Sequence, residues 1–435
     1  MTDTFCIRPF DHLSLNLDGT AQLCCRAHQP IDDGSRPFSL ATDAYADIWN
    51  SPYMLRVREA LLSGRRIPDC VACYSHERTM GTSLRLESNS AWLARQPEPG
   101  RAAALPRLKA ASEARGHVTG APPRTLHLWF GNHCNLQCRM CSAEFSTRIA
   151  ADPVHRSWHP RSSGGLPSPT RFTDAAVWSD SETVLFGEVF RDVDELEAIA
   201  FAGGEPLLQR QIEPLLEFLI ARGRAPSMRL FISTNGTVFR ESLMEKLSRF
   251  QKVVLALSLD GVGALNDYIR FPARWDVILG NLAAMKRWEG IQLRVDPTVQ
   301  AYNVLGLADL LRFCDAEGVE VSLSNILLGP PYLAVAALPE PCLGRARERL
   351  EAYLRDGAPE RSHAPVRGIL SHLGTLPGPE QPALLEDFMT FTNDLDASRR
   401  QRLGDAAPEL VTLITEAGFR WKDTRRFVPL VPTHA

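Results

Sequence analysis

The chain has 435 residues, 44% of them hydrophobic, and a formal net charge of −3. Its length is sufficient for a large core and predicts two or three domains, while the slightly negative charge argues against a basic nucleic-acid-binding surface. Because there is no N-terminal signal pattern and no apolar run of membrane-spanning length, we expect a cytoplasmic protein without a membrane or nucleic-acid partner.

The first stretch, residues 1–90, is rich in cysteine. In a reducing compartment, clustered cysteines with C-x2-C spacing are typical of metal or redox sites rather than of disulfides. Cys70 and Cys73 form such a pair, and Cys6 and Cys24 precede it. We therefore predict a metal or redox site in this stretch, and we leave out Cys25 because it adjoins Cys24, although these two cysteines could exchange roles. The residues alone fit either an iron–sulfur cluster or a structural zinc ion.

The central part of the chain predicts an α/β fold. Residues 91–123 are rich in Ala, Pro and Arg and predict a linker with one short helix. In residues 124–330, strand-like apolar runs lie at Leu126–Phe130, Ala198–Ala202, Met228–Ser233, Val253–Leu259, Gln292–Gln300 and Glu320–Leu327. Helical patterns lie between them, at Leu207–Arg222, Glu241–Phe250, Trp275–Trp288 and Leu305–Glu317. This alternation predicts βα units that form a parallel sheet.

A second group of cysteines directly follows the first of these strands. Cys134, Cys138 and Cys141 have the spacing C-x3-C-x2-C in the stretch GNHCNLQCRMC. A [4Fe–4S] cluster normally has four cysteine ligands. Three cysteines would leave one iron open, as catalytic metal sites keep an open position. We therefore predict a catalytic cluster at this loop.

This loop resembles the signature of the radical S-adenosylmethionine (SAM) superfamily, with Met140 at the position that is usually aromatic. The resemblance implies a partial (β/α)6 barrel with chemistry at the carboxyl ends of its strands. It also implies a [4Fe–4S] cluster whose open iron binds SAM. Reductive cleavage of SAM then yields a 5′-deoxyadenosyl radical that removes a hydrogen atom from a substrate.

The resemblance also assigns SAM-binding residues at the ends of the next strands. Gly203, Gly204, Glu205 and Pro206 form a GGE-type motif that contacts the amino group of SAM in this family. Short polar residues that suit the ribose and the methionine moiety are Thr234, Asn235, Ser258 and Asp260. Turn formation would explain the same residue types. Two further assignments stay open: Arg270 pairs with the SAM carboxylate or is a surface charge, and Gln300 and Asn303 reach the adenine or the substrate or belong to an ordinary loop.

The N-terminal cysteines resemble the auxiliary-cluster segments of SPASM and twitch domains, although such segments normally follow the radical SAM core. Cys6 is followed by a glycine at position 19 and then by Cys24, with the C-x2-C pair further on. Four ligands suffice for one cluster, so the resemblance implies a twitch-like auxiliary [4Fe–4S] cluster at residues 1–90. It favours iron over zinc at this site.

Two further stretches complete the chain. A long polar stretch within residues 152–190 follows the cysteine loop and is a candidate lid or substrate-recognition segment. Residues 331–435 show helical apolar spacing and predict a helical region that packs against the barrel.

The resemblance implies an enzyme that takes electrons from a reductant such as flavodoxin or ferredoxin. It favours a ribosomally synthesised peptide as substrate, which would be crosslinked, epimerised or oxidised. No separate leader-binding segment is recognisable ahead of the cysteines, so a small molecule such as an aminosugar or nucleoside stays an alternative. A non-catalytic iron–sulfur or zinc protein is the alternative from another class.

Overall fold

The computed structural model describes residues 4–27, 29–98, 100–162 and 178–421. These residues belong to two compact units, each made of segments that are distant in the sequence. The first unit lies within Met1–Gly131, Asp174–Ile232 and Glu245–Val253, and the second within Asn132–Thr173, Ser233–Met244 and Val254–Ala435. The N-terminal cysteines are therefore in the first unit, and the C-x3-C-x2-C loop is in the second.

The first unit is built on a sheet that is mostly parallel. Its strands are β1 (His12–Leu15), β2 (Ala21–Gln22), β3 (Thr125–Trp129), β4 (Ala198–Ala202) and β5 (Arg229–Thr234). They lie in the order β2-β1-β3-β4-β5, and only the β1–β2 pair is antiparallel. Alternate residues of β4 are buried, as the two-residue period of a strand requires, whereas three consecutive residues of β3, Leu126, His127 and Leu128, are buried. The sequence predicted β3, β4 and β5 but missed β1 and β2.

The first unit also contains helices, several of them in the N-terminal segment. They are Arg8–Asp11, Tyr45–Trp49, Pro52–Leu62, Val71–Met80, Leu84–Ala94, Ala104–Glu113, Glu182–Val184 and Ile212–Ala221. Arg58, in Pro52–Leu62, is fully buried, and its guanidinium donates to the carbonyl oxygens of Pro9 and Trp49 and to Asn50 Oδ1. A buried cation is tolerated when its donors are satisfied in this way, although burial still lowers the pKa of Arg58 to about 10.

Strands of the second unit are shorter than predicted. They are β6 (Lys252–Leu257), β7 (Ile291–Val295), β8 (Thr298–Val299), β9 (Glu320–Val321) and β10 (Asn325–Ile326). The predicted strand at 292–300 is thus divided into β7 and β8, and Pro297, which has no N–H to donate, lies between them. The predicted strand at 320–327 is likewise divided into β9, which pairs with β7, and β10, which pairs with β8.

The second unit contains most of the remaining helices. They are Thr147–Ala151, Pro153–Ser157, Glu241–Leu247, Ala264–Ile269, Trp275–Met285, Leu307–Ala316, Glu340–Arg355, Glu360–Leu373, Gln381–Arg399, Leu403–Ala406 and Pro408–Glu416. The last three residues of Glu241–Leu247 belong to the first unit. Among the described residues, no helix combines the length and the apolar character needed to cross a membrane. The middle of the predicted recognition segment, residues 163–177, lies outside the described residues, as do residues 422–435.

Candidate iron–sulfur and cofactor site

The C-x3-C-x2-C loop is held in shape by its own hydrogen bonds. Cys134 Sγ accepts from the backbone N–H of Leu136 at 3.4 Å, and the N–H of Cys141 donates to the carbonyl of Cys138 at 3.1 Å. Ser146, which begins the helix Thr147–Ala151, donates its hydroxyl to the carbonyl of Leu136 at 2.9 Å. These hydrogen bonds fix the backbone of the loop that carries the three cysteines.

The three thiols of this loop lie close enough to act on one another electrostatically. The pKa of Cys138 is raised to about 11, mainly by burial and in part by the charge of Cys134, against the lowering effect of Arg270. Burial also raises the pKa of Cys141, as do the charges of Cys138 and Cys134. Buried thiolates need positive charge nearby, because an uncompensated buried charge is costly. The iron of a [4Fe–4S] cluster supplies that charge, so the donor set fits the cluster that the sequence predicts.

Arg270 lies at the cysteine loop and not on the surface, with 7% of its area exposed. Its Nη1 donates to Cys138 Sγ at 3.9 Å, and its Nε is 2.8 Å from Asp260 Oδ2. Asp260 also accepts from the N–H of Thr298 at 2.7 Å. Burial lowers the pKa of Arg270, but the charges of Asp260 and Cys138 outweigh burial and raise it. The guanidinium therefore stays charged beside the thiols.

The residues that directly follow β5 form hydrogen bonds with the same loop. Asn235 Nδ2 donates to Asn135 Oδ1 at 2.9 Å, and Asn135 Nδ2 donates to Thr237 Oγ1 at 2.8 Å. The N–H of Ser258, after β6, donates to the carbonyl of Thr234 at 2.8 Å. The sequence predicted four SAM-binding residues at strand ends: Thr234, Asn235, Ser258 and Asp260. All four lie in the same region as the cysteine loop.

Gln300 and Asn303 serve a local turn. Asn303 Oδ1 accepts from the N–H of Gln300 at 2.9 Å, and Asn303 Nδ2 donates to the carbonyl of Thr298 at 3.0 Å. Gln300 also donates to the carbonyl of Thr298, at 3.2 Å. These hydrogen bonds form a local turn, and the assignment of the two residues to the adenine or the substrate stays a prediction.

The Gly203–Pro206 motif lies in the first unit, where it forms a tight turn after β4. The N–H of Gly204 donates to the carbonyl of Gly131 at 2.9 Å. Gly203 has φ of +104°, and a Cβ at this position would be 2.6 Å from the oxygen of Gly131. Glu205 is fully buried and its Oε1 accepts from the N–H of Leu207 at 3.1 Å. The turn therefore brings the ends of β3 and β4 together, and only glycine fits at position 203.

We expect Gly203→Ala to lower the free energy of unfolding by at least ~2 kcal/mol, because it combines a left-handed φ with a backbone overlap. Gly280→Ala is the matched control: Gly280 lies in the helix Trp275–Met285, and a Cβ there meets nothing within 4 Å. The control should be neutral or slightly stabilising. Denaturant titration of both variants checks the difference, and equal stabilities would contradict the close approach.

The four predicted auxiliary cysteines also lie together. The pKa of Cys6 is raised to about 12, mainly by burial and in part by the charges of Cys24 and Cys73. Burial is the largest cause that raises the pKa of Cys70, and the charges of Cys6, Cys24 and Cys73 also raise it. Cys25, by contrast, is an exposed side chain. Among the described residues, no three or more His, Cys, Asp or Glu side chains are arranged to hold a single metal ion. The four thiols nevertheless form one electrostatic group that fits a second cluster.

Two sequence families match the chain in the regions where these thiols lie. The radical SAM superfamily matches residues 130–288, and an iron–sulfur cluster-binding domain, SPASM, matches residues 6–74. The chain thus contains a radical SAM domain and a SPASM domain. The predicted family and fold class are both confirmed: an α/β partial barrel core with an N-terminal cluster-binding segment and a helical C-terminal region. The predicted cofactors are confirmed as well, since the two domains imply SAM, a SAM-binding [4Fe–4S] cluster and an auxiliary iron–sulfur cluster.

Curated relatives of this radical SAM protein match only in part. Pre-heme d1 synthase of Dinoroseobacter shibae is 27% identical over 207 residues, which are 47% of this chain and 43% of the relative. Fe-coproporphyrin III synthase of Methanosarcina barkeri is 29% identical over 122 residues, which are 28% of this chain and 29% of the relative. The chain thus spans less than half the length of each of these relatives.

The solved structures that match include Streptococcus suis SuiB bound to S-adenosylmethionine. Its TM-score is 0.38 and its sequence identity 17%, and the match covers 69% of this chain and 64% of the SuiB chain. Native anSMEcpe with bound AdoMet has a TM-score of 0.38 and 16% identity, over 54% of this chain and 62% of that one.

Sequence reasoning missed the residues that anchor the cysteine loop. Arg139, between two of the cysteines, is buried and donates to Asp396 Oδ1 at 2.5 Å and to Gln401 Oε1 at 3.0 Å. Its guanidinium carbon lies 3.6 Å from the centroid of the Tyr268 ring. An arginine between ligand cysteines was visible in the sequence, but nothing there identified its partners in the C-terminal region.

Proposed function

We propose that this protein is a radical SAM enzyme that reductively cleaves SAM and removes a hydrogen atom from a substrate. The observation that carries the proposal is the group of three thiols at Cys134, Cys138 and Cys141, the first two of them buried, with the charged Arg270 beside Cys138. When bound, the reduced cluster supplies the electron that divides SAM into methionine and a 5′-deoxyadenosyl radical. The radical takes a hydrogen atom from the substrate and becomes 5′-deoxyadenosine.

The residues around the loop are proposed to bind and orient SAM. Gly203, Gly204, Glu205 and Pro206 are assigned to the amino group of SAM through the family motif. Thr234, Asn235, Ser258 and Asp260 are assigned to its ribose and methionine moieties, supported by the hydrogen bonds that join β5 to the cysteine loop. Arg270 is assigned to the carboxylate. The ion pair between Arg270 Nε and Asp260 would hold the other guanidinium nitrogens of Arg270 in a fixed direction.

Cys6, Cys24, Cys70 and Cys73 are proposed to hold the auxiliary cluster. Their mutual electrostatic effects support a shared group, and the SPASM match covers residues 6–74 of the predicted segment 1–90, including all four cysteines. Such a cluster would bind the substrate or accept the electron that the substrate radical must lose on oxidation.

We propose a ribosomally synthesised peptide as substrate, modified by crosslinking, epimerisation or oxidation. The support is the auxiliary-cluster segment and its resemblance to the SPASM and twitch group. A cytoplasmic reductant such as flavodoxin or ferredoxin would supply the electrons.

A second candidate substrate is a small molecule of the tetrapyrrole class. The two curated relatives are named for a heme d1 precursor and for Fe-coproporphyrin III, and this favours it over the aminosugar or nucleoside that the sequence left open. A non-catalytic iron–sulfur protein is the remaining alternative, and it predicts no cleavage of SAM.

The test is anaerobic reconstitution followed by incubation with SAM and dithionite. We expect 5′-deoxyadenosine from the wild-type protein and none above background from Cys134→Ala. Equal amounts from both proteins would contradict the assignment of the loop. Candidate peptides and candidate tetrapyrroles are then compared, each deuterated at carbon. Transfer of deuterium into 5′-deoxyadenosine identifies the substrate class.

A further inference from the structure

Strand β7 carries an ion pair on one face, although it is bordered by β6 and by β9. Leu293 and Val295 are buried, and Arg294 and Asp296 alternate with them, so the two charged residues lie on the opposite face. Arg294 Nε donates to Asp296 Oδ1, and Arg294 Nη2 donates to Asp296 Oδ2, both at 2.6 Å. The result is a bidentate pair on one face of the sheet.

The helix after β6 covers the other face. The N–H of Asp296 donates to the carbonyl of Leu257 at 2.9 Å, and this parallel pairing places Leu257 on the same face as Val295. A Cβ at Gly236 would lie 3.5 Å from Leu257 Cδ2 and 3.7 Å from Ile278 Cγ2, so Leu257 is on the side of the helix that contains Ile278. In βα barrels the helices are outside. The ion pair therefore lies on the inner face.

Stability alone does not explain this ion pair. The inner face of a βα barrel is normally filled by bulky apolar side chains, and a solvated ion pair contributes at most about 1 kcal/mol. The side chains of Arg294 and Asp296 are 30% and 26% exposed. They are thus mostly enclosed by protein, and the part that remains exposed can contact a ligand on the inner face.

Polar residues continue the same face on both neighbouring strands. The carbonyl that accepts from Asp296 belongs to the residue before Ser258, so Ser258, which is assigned to SAM, lies beside Asp296. On the other side, the N–H of Ser322 donates to the carbonyl of Val295 at 2.9 Å, which places Ser322 beside Asp296 as well. Ser322 Oγ is 3.0 Å from Ser324 Oγ. The ion pair therefore adjoins a strand end that is assigned to the cofactor.

The charges and hydrogen-bonding groups of this surface suit an amide better than a carboxylate. Asp296 compensates Arg294, and Glu320 is the partner of Arg294 in the β7–β9 register, so carboxylates outnumber the guanidinium. An ionised carboxylate accepts about four hydrogen bonds, and Arg294 supplies two to Asp296. Asp296 can therefore accept from an N–H of a ligand, whereas the carboxylates of a tetrapyrrole would be repelled.

We propose that Arg294 and Asp296 bind the substrate and select a peptide. Asp296 accepts from an N–H group of a peptide amide, and Arg294 is a positioning residue that holds the Asp296 carboxylate in a fixed direction. The hydroxyl of Ser322 donates to a carbonyl of the same peptide. This inference rests on the proposed function and narrows its two candidate substrates to the peptide class.

The test compares two probes with the reconstituted holoenzyme. The first is the set of standard amino acids capped as N-acetyl N-methylamides, which present uncharged amides, and the second is coproporphyrin III, a tetrapyrrole with carboxylates. Each is deuterated at carbon, and the deuterium found in 5′-deoxyadenosine is measured per SAM cleaved. The Kd of coproporphyrin III is measured by fluorescence anisotropy. We expect the wild-type protein to take deuterium from capped amino acids and none above background from coproporphyrin III.

Variants of Asp296 separate its charge from its position. Asp296→Asn keeps the size and removes the charge, so deuterium transfer from capped amino acids should fall about tenfold. Coproporphyrin III should bind at least about threefold more tightly, because Arg294 is then uncompensated. Asp296→Glu keeps the charge but displaces the carboxylate, so it should lower the transfer and leave this Kd unchanged. Asp276→Asn is the matched control: Arg274 pairs with Asp276 in the same way, but both side chains are exposed.

A purely structural role of Asp296 would not change the two probes in opposite directions. The proposal is overturned by unchanged transfer or weaker coproporphyrin III binding in Asp296→Asn, or by a wild-type protein that cleaves SAM without taking deuterium from any capped amino acid. Anisotropy needs no cluster, so it tests the proposal even in a variant that does not bind iron. If the wild-type protein forms no 5′-deoxyadenosine, the proposed function fails instead, so the two failures are distinguishable.

Discussion

Replacing Cys138 with alanine is expected to abolish SAM cleavage and to remove about four of the roughly eight iron atoms of the reconstituted chain. The physical reason is that two thiolates cannot replace three in holding a cluster with one open iron. Cys138 is also the thiol at which Arg270 donates, so the substitution leaves that buried cation without one of its partners. Iron analysis and chromatography of 5′-deoxyadenosine check the result.

Cys314→Ala is the matched control for this substitution. Cys314 is a buried cysteine in the helix Leu307–Ala316, away from both groups of cysteines in the sequence. The variant should keep its iron and its 5′-deoxyadenosine, at a stability cost of about 1 kcal/mol for the small cavity. Loss of iron from Cys314→Ala, or its retention in Cys138→Ala, would contradict the ligand assignment.

Replacing Cys73 with alanine is expected to separate the two clusters. About four iron atoms should be lost, while SAM cleavage without substrate continues at the other cluster. Formation of the substrate-derived product should stop, because the auxiliary cluster would bind the substrate or accept its electron. The melting temperature should also fall, since the cluster links Cys6, Cys24 and the segment around Cys70.

Cys25→Ala supplies the control, because Cys25 adjoins Cys24 in the sequence but is exposed. It should change neither the iron content nor the melting temperature. If the wild-type chain instead contains about four iron atoms and one zinc ion, the N-terminal site is structural and Cys73→Ala should release zinc.

Local patterns predicted the elements of the core, whereas long-range pairing could not be predicted. The strand at 198–202 was located to the residue, because its apolar run ends at two glycines. β1 was missed, because four residues reading His-Leu-Ser-Leu are too short for a convincing alternation. Its partner β3 lies more than a hundred residues later, and no local signal gives that register.

The same distinction applies to the site. Cysteine spacing identified the seven thiols, since ligand spacing within a loop is a local property. The anchors of the loop are non-local: Arg139 and Asp396 are 257 residues apart, and Asp152 and Arg399 are 247 apart. Charged residues are frequent on helices, so the sequence could not distinguish Arg399 from a surface charge.

The pairing of β1 with β3 bears on how this protein could be inherited and rearranged. β1 belongs to the segment that carries the N-terminal cysteines, and β3 leads into the C-x3-C-x2-C loop. If a gene rearrangement removed the segment, the edge of β3 would lose its neighbour and become open to pairing with other chains. The cysteine-rich segment therefore cannot be exchanged or lost independently of the core. Selection should retain or discard the two together.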